Sequence, residues 1–377
     1  MKTITMCLSL LLTVLLCVAC DSSSTPENNL NSDSSTTKNN LSNIEVTYNK
    51  SVTYLKDFDE QEVVLTAYYS DESKKTYKSD ELEFNYNDFN NKKLGSYTID
   101  VKVKGQDISS SLNVEVVPAK SFNLLMIGNS FSDDTIQWVY EICESLGITV
   151  NLANLFIGGC ALDTHYLNYL TNSKSYEYRT YNKTSKSWQT TPGYDIKRAL
   201  NDYEWDYVSL QQVSGLSGQQ DSYSKLQPLI DKILENSPNV KFIWNMTWAY
   251  QQNSNHYDFA RYKNDQTLMY KSIVNTVKQA VTNMDEFELI VPNGTAIQNA
   301  RTSFIGDNLT RDGYHLTYDL GRYIAGLTLV KTMTGADITQ INYAPNGVSN
   351  EYKNVAIESC LNAVNSPFEV TNSTYTN

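Results

Sequence analysis

Histidine is nearly absent: His165, His256 and His315 are the whole complement of the 377-residue chain, which leaves little room for a histidine-rich metal centre. Basic residues are outnumbered, 30 Lys and Arg against 42 Asp and Glu, for a net charge of −12. That balance excludes a nucleic-acid partner, which needs a basic face. Charged residues of both signs make up only 19% of the chain, and polarity comes from Asn, Ser, Thr and 27 Tyr. Such a surface suits neutral polar ligands. From Cys20 onward the sequence holds four cysteines and no Cys-x-x-Cys pair, so it is not a disulfide scaffold. Cys160, which follows two glycines, reads as a packing thiol. At 41% hydrophobic, the chain has enough apolar residues for packed cores, and its length favours two domains.

The first segment reads as an address. Met1-Lys2, the apolar run Leu8 to Val18 and then Ala19-Cys20 describe a secretion signal too short to span a bilayer stably. A small residue directly before Cys resembles a bacterial lipoprotein signal, which implies removal of residues 1–19, lipidation at Cys20 and attachment to a bacterial membrane through that lipid alone. Residues 20–43, rich in Ser, Thr, Asn and Asp, bury too little to fold and read as a tether.

Residues 44–118 alternate with period two, as in Tyr97-Thr98-Ile99-Asp100-Val101-Lys102-Val103, with turn residues between the runs. This pattern predicts an all-β sandwich. Its closing strands resemble a bacterial immunoglobulin-like module, read here as a spacer. From residue 120 to about 370, apolar strands (122–128, 150–157, 207–210, 240–248, 288–292) alternate with helical stretches (134–146, 224–236, 262–282, 314–334, 352–365). Alternation of this kind predicts an α/β domain, a parallel sheet with helices on both faces. Ligands in such sheets bind beyond the carboxyl ends of the strands. Most residues there are small or amide-bearing, notably Asn129-Ser130, Gly158-Gly159, Gln211-Gln212 and Asn293-Gly294, and this suits recognition of an oxygen.

Ser130 follows a strand and Gly128, near a helix start whose amides favour developing negative charge. A hydroxyl there is a nucleophile if a base reaches it, and a helix cap if none does. Asp312 and His315 lie three apart, a spacing that lets a carboxylate orient an imidazole, and equally suits a capping Asp beside a surface His. His256 sits in a polar stretch and reads as solvated.

Gly128-Asn129-Ser130, Gly158-Gly159 and Asp312-Gly313-Tyr314-His315, in this order and on these elements, resemble the blocks of the SGNH, or GDSL-type, hydrolases. The longer strings Leu210-Gln211-Gln212, Thr247-Trp248-Ala249-Tyr250 and Gly294-Thr295-Ala296-Ile297-Gln298-Asn299 look like a lipoprotein subgroup of that family from gut bacteria. The resemblance implies a flavodoxin-like fold and a serine esterase needing no metal or cofactor. Ser130 would be the nucleophile, His315 the base and Asp312 its partner. The oxyanion would be held by the amides of Ser130 and Gly159 with Gln211 or Gln212, since the family's third block is absent and these glutamines stand in its place. Asn129, where the family has Asp, together with Trp248 and Tyr250, is expected to contact substrate. The expected substrate is a carbohydrate ester, such as an O-acetylated glycan. Losing one oxyanion donor typically costs about 10²–10³ in rate, so the altered third block equally fits an inactive glycan-binding protein on the same fold. A surface adhesin acting through the sandwich is a third reading.

Overall fold

A computed structural model describes residues 39–376; the signal segment, Cys20 and most of the expected tether lie outside them. No helix among the described residues is long and apolar enough to cross a membrane.

The N-terminal unit is all β. Its strands are β1 (Leu41–Thr47), β2 (Val52–Thr53), β3 (Val64–Tyr69), β4 (Lys74–Tyr77), β5 (Leu82–Asn85), β6 (Gly95–Val103) and β7 (Ser109–Val117). They form two sheets, in the orders β1-β3-β4 and β2-β7-β6-β5. Alternate residues point inward, so Leu65 and Ala67 of one sheet meet Ile99, Val101, Val114 and Val116 of the other in a core of their own. β1 begins at Leu41, three residues inside the expected tether.

The second unit holds β8 (Ser121–Gly128), α1 (Ser130–Ile136), α2 (Val139–Ser145), β9 (Thr149–Phe156), α3 (Leu162–Thr171), β10 (Tyr176–Asn182), β11 (Ser187–Tyr194), α4 (Ile196–Asn201), β12 (Tyr207–Leu210), α5 (Leu226–Asn236), β13 (Lys241–Asn245), α6 (Gln266–Ala280), β14 (Phe287–Val291), α7 (Asn293–Arg301), α8 (Leu320–Thr334) and α9 (Asn350–Asn365). The sheet order is β11-β10-β9-β8-β12-β13-β14. Strands β9, β8, β12, β13 and β14 are parallel. The polar segment at 171–195 is an antiparallel hairpin, β10 and β11, that extends the sheet at its β9 edge and makes it mixed. One helix group packs α1, α2, α7 and α9 around α8; the other packs α3, α4 and α5 together.

Several boundaries differ from those read in the sequence. The stretch expected as one helix from Asp134 is two, because α1 starts four residues earlier, on Ser130, and the chain breaks at Gln137-Trp138. Lys263 and Asn264 take left-handed backbone, which separates a 3-10 turn at Tyr257–Tyr262 from α6. The last main helix starts at Leu320 instead of Tyr314, and the residues before it form a loop closed by a Thr310–Leu316 bridge. The final helix matches expectation: the Ser349 side chain accepts from the Tyr352 amide and caps α9.

Candidate active site

The carboxyl end of β8 carries Asn129 and Ser130. Asn129 caps α1, its side-chain oxygen accepting from the Phe131 amide at 3.0 Å. Ser130 is therefore the first residue of the helix, where a backbone N–H has no partner within the helix. The loop before α8 brings His315 to it. His315 Nε2 lies 2.8 Å from Ser130 Oγ, and His315 Nδ1 lies 2.6 Å from Asp312 Oδ2. The other Asp312 oxygen accepts from the Tyr314 and His315 amides at 3.2 and 2.8 Å, so one carboxylate both folds the turn and faces the ring. Gly313 makes that turn at φ +90, a conformation costly for any side chain. Burial pushes the Asp312 carboxyl up, but the hydrogen bonds and charge of His315 outweigh it and hold the group below the usual carboxylate range. The carboxylate is still 39% exposed, so the site is open at this end.

The histidine loop is anchored from below by Asp134, four residues after Ser130 on α1. Asp134 is wholly buried and accepts from the Leu316 amide at 2.8 Å, Arg322 Nε at 2.8 Å and Arg311 Nη1 at 3.2 Å. No catalytic spacing singled out this carboxylate; the available sign was its place one turn after a candidate nucleophile.

Beside the end of β8, tied to it by the Ile157 amide on the Gly128 carbonyl and by Asn129 on the Cys160 carbonyl, stands the turn after β9. Gly158 and Gly159 are exposed, and Gly159 takes φ +64. Among the described residues the Gly159 amide has no hydrogen-bond partner, so it and the Ser130 amide are free donors.

The two glutamines are not. Gln211 and Gln212 are each 1% exposed. Gln211 Nε2 donates to Asn129 Oδ1 at 2.8 Å, and Gln212 Nε2 donates to Ser222, with Gln212 Oε1 accepting from the Leu162 and Val213 amides. Gln212 Nε2 is bonded twice to Ser222, and Gln211, with one N–H on Asn129, is held buried beneath the strand ends, so neither side chain is presented to an oxyanion, which corrects that expectation. The physical reason is a chain of amides across the strand ends. Asn293 Nδ2 donates to Asn245 Oδ1 (2.7 Å), Asn245 Nδ2 to Gln211 Oε1 (2.9 Å), Gln211 to Asn129, and Asn129 Nδ2 to the Cys160 carbonyl (3.0 Å). Strand ends β14, β13, β12 and β8 each supply one amide, and the amides recognise one another.

Asn129 is buried in this chain and does not reach substrate. Trp248 and Tyr250, expected on the rim, are both 0% exposed. Trp248 stacks on Phe131 at 4.2 Å and donates to the Tyr314 carbonyl; the Tyr250 hydroxyl meets Ser214 at 2.8 Å. Both belong to the core beneath the site. His256, expected to be solvated, is half-buried among Tyr250, Tyr257 and Tyr314. Cys160 is buried, and burial pushes its thiol up to about 12, as suits a packing residue.

Chemically, a hydroxyl bonded to one imidazole nitrogen, with a carboxylate on the other, can surrender its proton as it attacks an electrophile. Two free amides beside it can hold a developing oxyanion. No group of three or more acidic, His or Cys side chains suited to a metal occurs among the described residues.

A family profile described as "Domain of unknown function (DUF4886)" matches residues 123–363. A crystal structure of a DUF4886 family protein from Bacteroides uniformis is 42% identical, with 68% of this chain and all of that one aligned at a TM-score of 0.66. Much slighter likenesses reach a catalytic mutant of an acetylxylan esterase from Geobacillus stearothermophilus (13% identity, 58% and 97% covered, TM-score 0.37) and a family 3 carbohydrate esterase from Clostridium thermocellum (16% identity, 56% and 94% covered, TM-score 0.36). At that level they carry no weight for chemistry, which rests on this chain's own side chains. No curated protein matches the sequence.

Proposed function

The chain belongs to the DUF4886 family, and we propose that it is a serine ester hydrolase of SGNH type, acting outside the cytoplasm on acylated carbohydrate. The observation that carries this reading is the unbroken row of Ser130 Oγ, the His315 ring and Asp312 Oδ2, at 2.8 and 2.6 Å, at the carboxyl edge of the sheet.

In the proposed cycle, His315 Nε2 takes the Ser130 proton as Oγ bonds to the ester carbonyl carbon. The carbonyl electrons move onto oxygen, which the Ser130 and Gly159 amides receive. The carbon–oxygen bond to the alcohol then breaks, and the imidazolium returns the proton to the leaving oxygen. Water, deprotonated by the same ring, releases the acyl group as a carboxylic acid and restores Ser130. Asp312 keeps Nδ1–H fixed and stabilises the imidazolium. Two backbone donors replace the three of the family pattern.

The open site, with Asp312 and the paired glycines exposed, favours a bulky polar ester over a long acyl chain. Acetyl as the acyl group, lipidation at Cys20 and a spacer role for an immunoglobulin-like sandwich complete the proposal.

A fluorophosphonate probe tests it. The expected adduct maps to Ser130 by peptide mass spectrometry, and Ser130→Ala abolishes hydrolysis of p-nitrophenyl acetate. A label confined to another residue, or equal hydrolysis by both proteins, overturns the assignment.

A further inference from the structure

The rings around His315 continue outward. The Tyr314 ring lies 4.1 Å from His315, His256 lies 4.6 Å from Tyr314, and Tyr257 stacks on His256 at 4.7 Å with planes 22° apart. Inward, Phe131 sits 5.9 Å from His315 and stacks on the buried Trp248. A run of aromatic rings thus leads from the core, past the reactive imidazole, to Tyr257, which is 81% exposed.

This outer end is held in place. His256 Nδ1 accepts from the Asp258 amide at 3.2 Å and caps the 3-10 turn that Tyr257 opens, which fixes the imidazole plane. The Gln251 amide donates to the Gly313 carbonyl at 2.8 Å, and Ser254 sits so close to Gly313 that an added Cβ would meet it at 3.0 Å. The strip that bears Tyr257 is therefore locked to the turn that bears His315. The Tyr257 side chain makes no hydrogen bond among the described residues, so its hydroxyl is unoccupied, and with one ring face on His256 its high exposure leaves the other open.

We propose that Tyr257, backed by His256 and Tyr314, is the subsite on which a sugar ring of the acylated glycan stacks while its ester reaches Ser130. A pyranose ring offers one face of C–H groups to an aromatic plane and hydroxyls at its edges, and the Tyr257 hydroxyl adds a polar partner. The assignment rests on the ester-hydrolase reading above and supplies the rim aromatics that Trp248 and Tyr250, being buried, do not.

The test compares two esters, partially acetylated cello-oligosaccharides and ethyl acetate, which has no ring to stack. Tyr257→Ala is expected to lower the ratio of kcat/KM for the sugar ester over ethyl acetate about tenfold, mainly through KM, the scale of one aromatic stacking contact. Tyr257→Phe should restore most of the ratio. An unchanged ratio overturns the subsite, whether both rates hold or both fall together. A second measurement separates this from failure of the hydrolase reading. Ser130→Ala protein is titrated with the same oligosaccharides by saturation-transfer NMR, with and without Tyr257→Ala. Binding that disappears with Tyr257 supports the subsite even if no ester is cleaved; binding that persists, or none in either protein, overturns it.

Discussion

Asp134 answers one backbone amide and two guanidinium groups from a fully buried position. Asp134→Asn keeps the shape but leaves Arg311 and Arg322 without their anion. Removing one partner of a buried ion pair costs about 3–5 kcal/mol, and the isosteric change should cost about 3. Urea unfolding measures it, and labelling of Ser130 by fluorophosphonate should slow as the His315 loop loses its anchor. His165 makes a second prediction at this scale. It is wholly buried against the Tyr176 hydroxyl at 2.8 Å, its Nε2 faces no partner among the described residues, and burial pulls its pKa down to about 4. Below the ordinary value of 6.5 the unfolded chain binds a proton that the native site refuses. Stability is thus intact above 6.5 and lost as pH falls from 6.5 to about 4, by about 3 kcal/mol over that window. Between pH 7 and 4 the unfolding free energy of the unaltered protein should drop by that much more than that of His165→Gln; parallel curves would refute the buried neutral ring.

At the scale of elements, the chain of amides joins four strand ends whose partners lie 82, 34 and 48 residues apart in sequence. Asn245→Leu removes the middle link and strands the Gln211 oxygen, while Asn293 Nδ2 keeps only Thr135, at 3.3 Å. At about 1–3 kcal/mol for each unsatisfied group, the expected loss is about 3 kcal/mol, read by thermal unfolding. This chain also marks where sequence reasoning stopped. The Ser130 strand end and the pairing of Asp312 with His315 were legible, because a turn glycine, a helix start and a carboxylate three residues before an imidazole are local patterns. Whether Gln211 points to a ligand or to Asn245 is not local. Adjacent strands lie about 4.8 Å apart, so side-chain amides at their ends reach each other before they reach substrate. Trp248 and Tyr250 were misplaced for a related reason: a position past a strand end does not say which way the side chain turns, and here both turn inward. The loop before α8 was read as helix because Leu316, Leu320, Ile324 and Leu327 keep a helical spacing, although the Thr310–Leu316 bridge holds the first of them in extended backbone.

For the whole molecule, the two units have distinct cores, but Tyr54 and Leu55 of the sandwich segment pack into the α/β core and Leu94 packs against both. The Ala119 amide donates to the Thr334 carbonyl at 2.9 Å. Glu288 on β14 accepts Lys92 of the sandwich and Lys241 of β13, each at 2.9 Å, and Lys56 faces Asp206 at 3.4 Å. Burial pushes the Glu288 carboxyl up, yet the two lysines hold it below the usual range. Glu288→Gln should cost about 1 kcal/mol, since both lysines are partly exposed, and lower Tm by about 2–4 °C in scanning calorimetry. Lys56, Asp57, Asn123 and Tyr203 line a cleft of about 710 Å³ at this junction, at the amino ends of the strands and away from Ser130.

Ser130 and Asp134 ride consecutive turns of one short helix, and Asp134 grips the peptide bond just beyond His315. A rocking of α1 therefore carries hydroxyl and imidazole in step. The proton's path would then keep its length, much as two rowers seated in the same boat stay an arm's reach apart in a swell.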